Sequence, residues 1–584
     1  MLPKGGAFLL EQSNPADVFT PEDLTEEHRL IAQTVADFVE KEVMPRDAEL
    51  EAQKEGLMRE LLEKAGELGL LSADIPEEYG GSDLGKIASM LITENVSIGG
   101  AFALGHGDHT GIGSLPIVLF GNEDQKKRYL PGLASGKLIG AYALTEPGAG
   151  SDALAARTRA VLSPDGKSYF LNGEKIFITN AGFADIFTTY AKIDGQHFTA
   201  FIVERNTPGF SLGAEEKKMG IKGSSTRSLI FEDAPVPVEN VLGEIGRGHV
   251  IAFNILNIGR LKLGAGCVGS ARRAINLALQ YALQRHQFNT PIARFGLIQH
   301  KFAQMAAKAY AAESAVYRLT GVIEEALQGK QAGREIAAAI EEYAIECSIC
   351  KVLGSEALDY IVDEMVQIYG GYGYIQEYPA ERFYRDARIN RIFEGTNEIN
   401  RLIIPATLVR KAFKGQLPLI DAAQALAKEI LNLRTALPED DGKPLAAERD
   451  MLVRAKKLFL LIGGQAVEKY GDKLANQQEI IGILADLAIQ IYAMESAVLR
   501  ALKAWEADPE TAAAKLDLAR GYLYDNFPLL EKLTRESLAF IFEGDLLSTQ
   551  LAIAKRLCKY QPIDLIRLRR QITGRMLEAE KYVV

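Results

Sequence analysis

Cysteine is scarce in this chain of 584 residues: four, at 267, 347, 350 and 558, are too few for a disulfide scaffold. Cys347 and Cys350 form a CxxC, but no second CxxC accompanies it. It falls within a helical pattern over residues 334–369, so helix packing is expected there and no metal site. An excess of positive charge is also missing. Lys+Arg 66 against Asp+Glu 77 leave a net charge of −11 and a pI near 5.4, which argues against a protein built to coat nucleic acid. There is no uninterrupted apolar run of about 18 residues, and MLPKGGAFLLEQ carries only four apolar residues in a row before Glu11 and Gln12. Neither a signal peptide nor a membrane span is expected, and the chain reads as cytoplasmic. Short-period repeats, low-complexity tracts and a strand, glycine-rich turn, helix fingerprint for nucleotides are absent as well.

What is present is apolar substance, 47% of residues, enough for three or four domains. Residues 25–137 read as an N-terminal α-helical domain. Thr25-Glu26-Glu27-His28 makes a capped start, and Leu30, Ile31, Val35, Phe38 and Val39 recur at helical spacing. Residues 138–245 change to short β-branched runs with turn chemistry at Asn172-Gly173 and Asp194-Gly195, read as hairpins, and Pro235 and Pro237 close the β domain. Helical periodicity returns over 246–413, with long helices expected at 250–284, 296–326 and 334–367. A polar stretch at 414–417 opens a further α-helical domain, 414–584, with a charged, proline-bearing loop near 438–444. Its apolar stripes at 479–503 and 529–542 suit a packed domain, a dimer face or a membrane-surface contact. The expected fold is mainly α with a central β domain.

Four runs carry chemistry. Arg391-Ile392-Phe393-Glu394-Gly395-Thr396-Asn397-Glu398 sets one carboxylate behind an apolar pair and beside a glycine. If Ile392 and Phe393 line a dry cavity, desolvation raises the Glu394 pKa toward working pH; the alternative is a solvated helix end. Tyr142-Ala143-Leu144-Thr145-Glu146-Pro147-Gly148-Ala149-Gly150-Ser151-Asp152 is a loop with little side-chain bulk. Its backbone N–H groups and the Thr145 and Ser151 hydroxyls can meet a flat or phosphorylated ligand, and a purely structural loop reads the same way. Gln367-Ile368-Tyr369-Gly370-Gly371-Tyr372-Gly373-Tyr374 is either a helix C-cap or a ligand platform. Arg285-His286-Gln287-Phe288 closes a helix before Pro291, where Arg285 either pairs with a pyrophosphate or is solvated.

Taken in order and spacing, YALTEPGAGSD, KIFITN, RHQF, QIYGGYGY and RIFEGTNE resemble the acyl-CoA dehydrogenases over residues 25–413. LNIGR (256–260), FGLIQ (295–299) and the extra C-terminal block resemble the very-long-chain branch. Phe177 stands where many relatives of that family have Trp, still an aromatic edge for a flavin. The resemblance implies FAD and α,β-dehydrogenation of a fatty acyl-CoA, in the long-chain range, to the trans-2-enoyl-CoA in fatty acid β-oxidation. Glu394 takes the α-proton and the β-hydride leaves for flavin N5. Some relatives of that family carry the base on the long helix just before a motif arginine; here Gly259 precedes Arg260, so the resemblance leaves Glu394 as the expected base.

By the same resemblance Tyr142, Leu144, Thr145, Gly150, Ser151, Phe177, Ile178, Thr179, Arg285, Phe288, Gln299, Gln367, Ile368, Gly370, Gly371, Thr396 and Glu398 contact FAD. Ser151, Asn257, Arg260 and Gly395 lie along the CoA ester, with Arg260 toward a phosphate or the adenine end. Arg285 and Phe288 act across a subunit contact, so a homodimer is expected, with electron-transferring flavoprotein as the electron acceptor and a weak membrane-surface association as a further partner. Two rivals share the fold: an acyl-CoA oxidase using oxygen, and a scaffold or assembly protein that has kept the architecture.

Overall fold

The computed structural model describes residues 2–330, 333–429 and 441–584; the first part of the loop expected near 438–444 lies outside these. The first long helix, Glu26–Phe38, begins as its sequence dictates. Thr25 Oγ1 accepts the His28 N–H at 3.2 Å, and His28 Nδ1 accepts the Thr25 N–H at 3.3 Å. Further helices, Leu57–Glu67, Gly85–Val96, Ala101–Gly107 and Glu123–Ala134, complete the N-terminal block. Between Ala101–Gly107 and Leu115–Phe120 the chain widens into a π-helical turn, Asp108–Gly113.

Eight strands follow: β1 (Gly140–Ala143), β2 (Arg159–Leu162), β3 (Ser168–Thr179), β4 (Ile186–Ile193), β5 (His197–Glu204), β6 (Phe210–Glu215), β7 (Thr226–Pro237) and β8 (Val241–Leu242). They form one sheet in the order β6-β7-β3-β2-β4-β5-β8, with β1 pairing parallel to β4. β4 and β5 are buried on both faces, which their unbroken apolar and β-branched runs anticipate. Asp194-Gly195 does turn a hairpin, between β4 and β5. Asn172-Gly173 does not. Both residues lie inside the single twelve-residue strand β3, where the register with β7 slips at Gly173, so the dipeptide marks a bulge.

The long helix Gly248–Gln284 packs against Ala344–Tyr369 at a glycine crossing: a Cβ on Gly354 would lie 3.1 Å from Gly264 Cα. The single helix expected over 334–367 is two, Gly333–Glu342 and Ala344–Tyr369, because Tyr343 (φ −103°, ψ 23°) leaves the helical region. Cys347 and Cys350 are buried free thiols on the second of these, with no metal-holding cluster among the described residues. The C-terminal helices share one apolar core with the bundle. Gln478–Ala507 is long and apolar enough to cross a membrane (mean hydropathy 1.5), yet 78% of its most apolar window is buried in the protein, and Arg500 on it pairs with Glu22 and Glu313.

Candidate active site

The Glu394 run lies where the bundle meets the β domain. Glu394 itself has φ +57° and Gly395 φ +80°, so a non-glycine residue is held in the left-handed region at a cost of about 1 kcal/mol or more. Buried donors hold it there. Arg260 Nε donates to the Glu394 carbonyl (3.2 Å); Asn400 Nδ2 donates to the carbonyls of Gly395 (2.9 Å) and Thr396 (3.0 Å). Lys351 Nζ donates to the Gly395 carbonyl (2.8 Å) and to Asn397 Oδ1 (2.7 Å). Thr396 Oγ1 caps the helix Asn397–Phe413 by accepting the Ile399 N–H at 3.2 Å. The carbonyls thus point inward to cations and amides, whereas the Glu394 N–H has no acceptor among the described residues.

The carboxylate is the opposite case. Its Oε2 is buried with no hydrogen-bond partner, and it rests on bare backbone, since a Cβ on Gly259 would meet Oε2 at 2.8 Å. Burial pushes the Glu394 pKa up to about 7, against the pull of Arg260 and Lys351. Burial also lowers Lys351 to about 8. The carboxylate opens onto a cavity of about 900 Å³ whose wall includes Ala103, Gly107, Gly111, Thr179, Gly266 and Phe393.

On the β side, Tyr142 lies on β1 with its ring against Tyr190 (5.3 Å) and its hydroxyl buried and unpartnered. The loop after it is anchored by a buried ion pair. Lys175, fully buried, donates to Glu146 Oε1 (2.7 Å) and to the Leu144 carbonyl (3.2 Å), while Glu146 also accepts the Thr158 N–H (3.1 Å). Lys175→Met would strand the Glu146 carboxylate; a loss of about 3–5 kcal/mol in denaturant unfolding is expected, with the loop loosened, and a loss under about 1 kcal/mol would show that the pair carries little.

The Thr145 carbonyl accepts the Ile176 N–H (2.9 Å), which brings this loop beside Phe177. Phe177 is 61% exposed at φ +59°, while its neighbour Ile178 is buried. Gly148 and Gly150 have open space where a side chain would stand, and Ser151 is exposed. A bare aromatic edge, an orphaned phenol and a loop without side-chain bulk fit a flat heteroaromatic group such as a flavin ring.

The remaining expected residues form a second, outward-facing group. Arg285 caps the helix Gly248–Gln284 with its guanidinium over the Tyr372 ring (5.5 Å). Phe288, 90% exposed, sits with Asn289 at the tip of a two-residue turn, both at positive φ. Gly370 (φ +60°) and Gly371 open onto empty space, Gln367 and Glu398 are exposed, and Ile368 is buried. Gln299 is partly covered by the C-terminal helix, for its carbonyl accepts Thr573 Oγ1 at 2.7 Å.

Arg260 requires a correction. It is 6% exposed and hydrogen-bonded to Asn257 Oδ1 (2.9 Å) and the Glu394 carbonyl, so it supports the Glu394 loop from beneath and faces no phosphate. Lys351, Asn400 and the Lys175–Glu146 pair escaped sequence reasoning, which marks Gly259 only as a position without a carboxylate, not as the seat of the Glu394 carboxyl. A lysine amid the apolar run Ile349 to Leu353 was the one available signal for Lys351.

A raised carboxylate on a cavity that also reaches Thr179, two residues from an exposed aromatic edge, fits the class of flavoprotein oxidoreductases. Family models for the acyl-CoA dehydrogenase N-terminal domain (25–137), middle domain (141–234) and C-terminal domain (246–409) match the chain, and a second acyl-CoA dehydrogenase C-terminal domain model matches 454–556. A probable acyl-CoA dehydrogenase of Bacillus subtilis (strain 168) is 54% identical, over 100% of this chain and 98% of its own. The crystal structure of an acyl-CoA dehydrogenase complexed with FAD from Bacillus anthracis superposes with a TM-score of 0.97 at 54% identity, covering 100% of both chains. The mitochondrial very long-chain specific acyl-CoA dehydrogenase of Homo sapiens is 37% identical over 76% of this chain and 70% of its own. The chain belongs to the acyl-CoA dehydrogenase family, FAD-dependent oxidoreductases.

Proposed function

We propose that the chain oxidises a long-chain fatty acyl-CoA to its trans-2-enoyl-CoA as a step of fatty acid β-oxidation. One observation carries this reading: the unpartnered Glu394 carboxylate, lifted to about 7, opening onto the 900 Å³ cavity. Glu394 takes the α-proton. The free Glu394 N–H is the donor available to the thioester carbonyl as charge develops there, an effect worth roughly 3–4 kcal/mol per donor. A bound acyl chain against Phe393 and the glycines of the wall would displace water from the carboxylate, which keeps the base strong in the complex. FAD, when bound, supplies the acceptor for the β-hydride; Tyr142, Leu144, Thr145, Gly150, Ser151, Phe177, Ile178, Thr179, Thr396 and Glu398 would hold it from this chain.

Arg285, Phe288, Gln299, Gln367, Ile368, Gly370 and Gly371 would hold it from a second copy, and the exposure of Arg285, Phe288, Gln367, Gly370 and Gly371 supports a homodimer. Ser151 and Gly395 remain the CoA-side contacts, while Asn257, buried and bonded to Arg260, acts with it through the loop. Electron-transferring flavoprotein is the proposed oxidant of the reduced enzyme, and the cytoplasm its compartment. Preference for long chains is supported by a cavity near the top of the roughly 300–1,000 Å³ range of small-molecule sites and by the branch-like C-terminal domain. The test is anaerobic bleaching of the yellow enzyme across a series from butanoyl- to icosanoyl-CoA. Bleaching strongest with the long members is expected; a maximum at butanoyl-CoA overturns the chain-length reading, rapid stoichiometric peroxide in air turns the enzyme into an oxidase, and no bleaching at all leaves a scaffold.

A further inference from the structure

Asp108 opens the π-helical turn Asp108–Gly113 and lines the same cavity as Glu394. It is 5% exposed, and its Oδ2 is buried with no hydrogen-bond partner among the described residues. Gly107, the residue before it, lines the same cavity and has open space where a side chain would stand. A buried carboxylate without a cation is among the costliest groups a protein can hold, and it avoids the cost by keeping its proton.

Among the described residues, no ionisable group on the elements packed against the turn makes an ion pair or hydrogen bond with the Asp108 carboxyl. His106, on Ala101–Gly107, and His109 within the turn are neutral, lowered by burial to about 3 and about 4 and bonded to the carbonyls of Leu70 (2.9 Å) and Leu133 (3.0 Å). Tyr142 on β1 and Tyr190 on β4 are raised phenols. Lys262 on Gly248–Gln284 is turned to Asp74 (2.9 Å), whose carboxylate it shares with Lys86, and Arg260 is bound to Asn257 and the Glu394 carbonyl. The helix Leu115–Phe120 has no charged residue. Burial and the neighbouring Glu394 carboxylate both push Asp108 well above the ordinary carboxyl range. Glu394 has Arg260 and Lys351 to stabilise its anion and Asp108 has neither, so Glu394 ionises first and Asp108 is a neutral acid in the working enzyme.

We propose that Asp108 sets the alkaline limit of substrate binding: an acyl chain enters the cavity only while the Asp108 carboxyl carries its proton. An alkyl chain lying along that wall removes water from the carboxyl and offers no hydrogen bond in return. A neutral acid tolerates this, whereas an anion does not. The inference rests on the dehydrogenase reading, and it makes Asp108 a specificity-determining residue that never touches the transferred proton.

The wild-type kcat/KM for a long-chain acyl-CoA should rise with pH through the Glu394 titration and fall on the alkaline side by about tenfold per pH unit. In kcat the fall should be absent, because the bound chain keeps Asp108 neutral. Asp108→Asn should abolish the alkaline fall in kcat/KM and leave the acid limb in place. A fall that persists in Asp108→Asn overturns the proposal and assigns the limb to another group, Lys351 at about 8 being the first candidate.

Calorimetry serves if that variant does not fold. The Glu394→Gln holoenzyme, titrated with an unreactive S-alkyl-CoA thioether in buffers of different ionisation enthalpy, should take up close to one proton per ligand on the alkaline side. Binding without proton uptake overturns the proposal. Proton uptake in an enzyme that oxidises no acyl-CoA would sink the dehydrogenase reading and leave the Asp108 linkage standing.

Discussion

Glu394→Gln is expected to cut the rate of flavin reduction by about 10³- to 10⁴-fold while FAD and acyl-CoA still bind, because the amide keeps the shape of the carboxyl and cannot accept the proton. Gly259 occupies the helix position from which another carboxylate could reach, Asp108 holds its own proton, and Asp47, Glu51 and Asp386 on the cavity wall are paired with Arg382 and Arg385. The same variant should be more stable than the wild type at neutral and higher pH. The Glu394 pKa in the folded state, about 7, lies above its ordinary 4.5, so folding favours the protonated form. The stability it contributes is complete below about 4.5 and is lost as pH rises through about 7, a difference of about 1–3 kcal/mol. Melting curves should therefore coincide near about pH 4 and separate near about pH 8, with Glu394→Gln the higher. Residual turnover within about tenfold of wild type would remove Glu394 from its role; melting curves that stay together at both pH values would show that its charge is not held against a desolvation cost.

Periodicity and turn chemistry made the α, β, α, α order of the chain legible, as well as the capped helix at Thr25 and the helix end before Arg285, since each is decided by residues within a few positions of one another. Asn172-Gly173 misled for the same reason. Its local chemistry suits a hairpin, but pairing of β3 with β7 on one side and β2 on the other holds the strand straight through it. At the site, the carboxylate and its glycine could be read from the run itself, but of the apolar pair expected to line the cavity only Phe393 does so, and Ile392 is 48% exposed. The groups that make Glu394 a base could not be read there. Arg260, Lys351 and Asn400 reach its loop from two other helices and from further along its own, and only packing shows that they bind carbonyls there. Arg260 is the instructive case. A lone arginine beside a proposed CoA site suggests a phosphate, yet once buried its guanidinium is drawn to backbone carbonyls.

The sharpest test of how this site is built is a methyl group. In Gly259→Ala the new Cβ would stand 2.8 Å from Glu394 Oε2, 2.9 Å from Cδ and 3.1 Å from Oε1, so the whole carboxyl must move off its resting place. The clash is with the free end of a flexible side chain, and the fold can absorb it by a rotamer change of about 0.5–1.5 kcal/mol. Catalysis cannot, because displacing a reacting group by about 1 Å costs on the order of 10²-fold in rate. Gly259→Ala should thus lose about 10²-fold in kcat, with melting temperature and FAD content near wild type. Gly264→Ala, further along the same helix, provides the contrast. Its Cβ would meet the Cys350 carbonyl oxygen at 3.0 Å, which is backbone of the opposing helix and has no rotamer to change. That variant should lose stability by about 1–3 kcal/mol and keep its kcat where it folds. If Gly259→Ala turned over at wild-type rate, the carboxylate would have to work from a position other than the one over Gly259, and the glycine would be a helix-packing residue like Gly264.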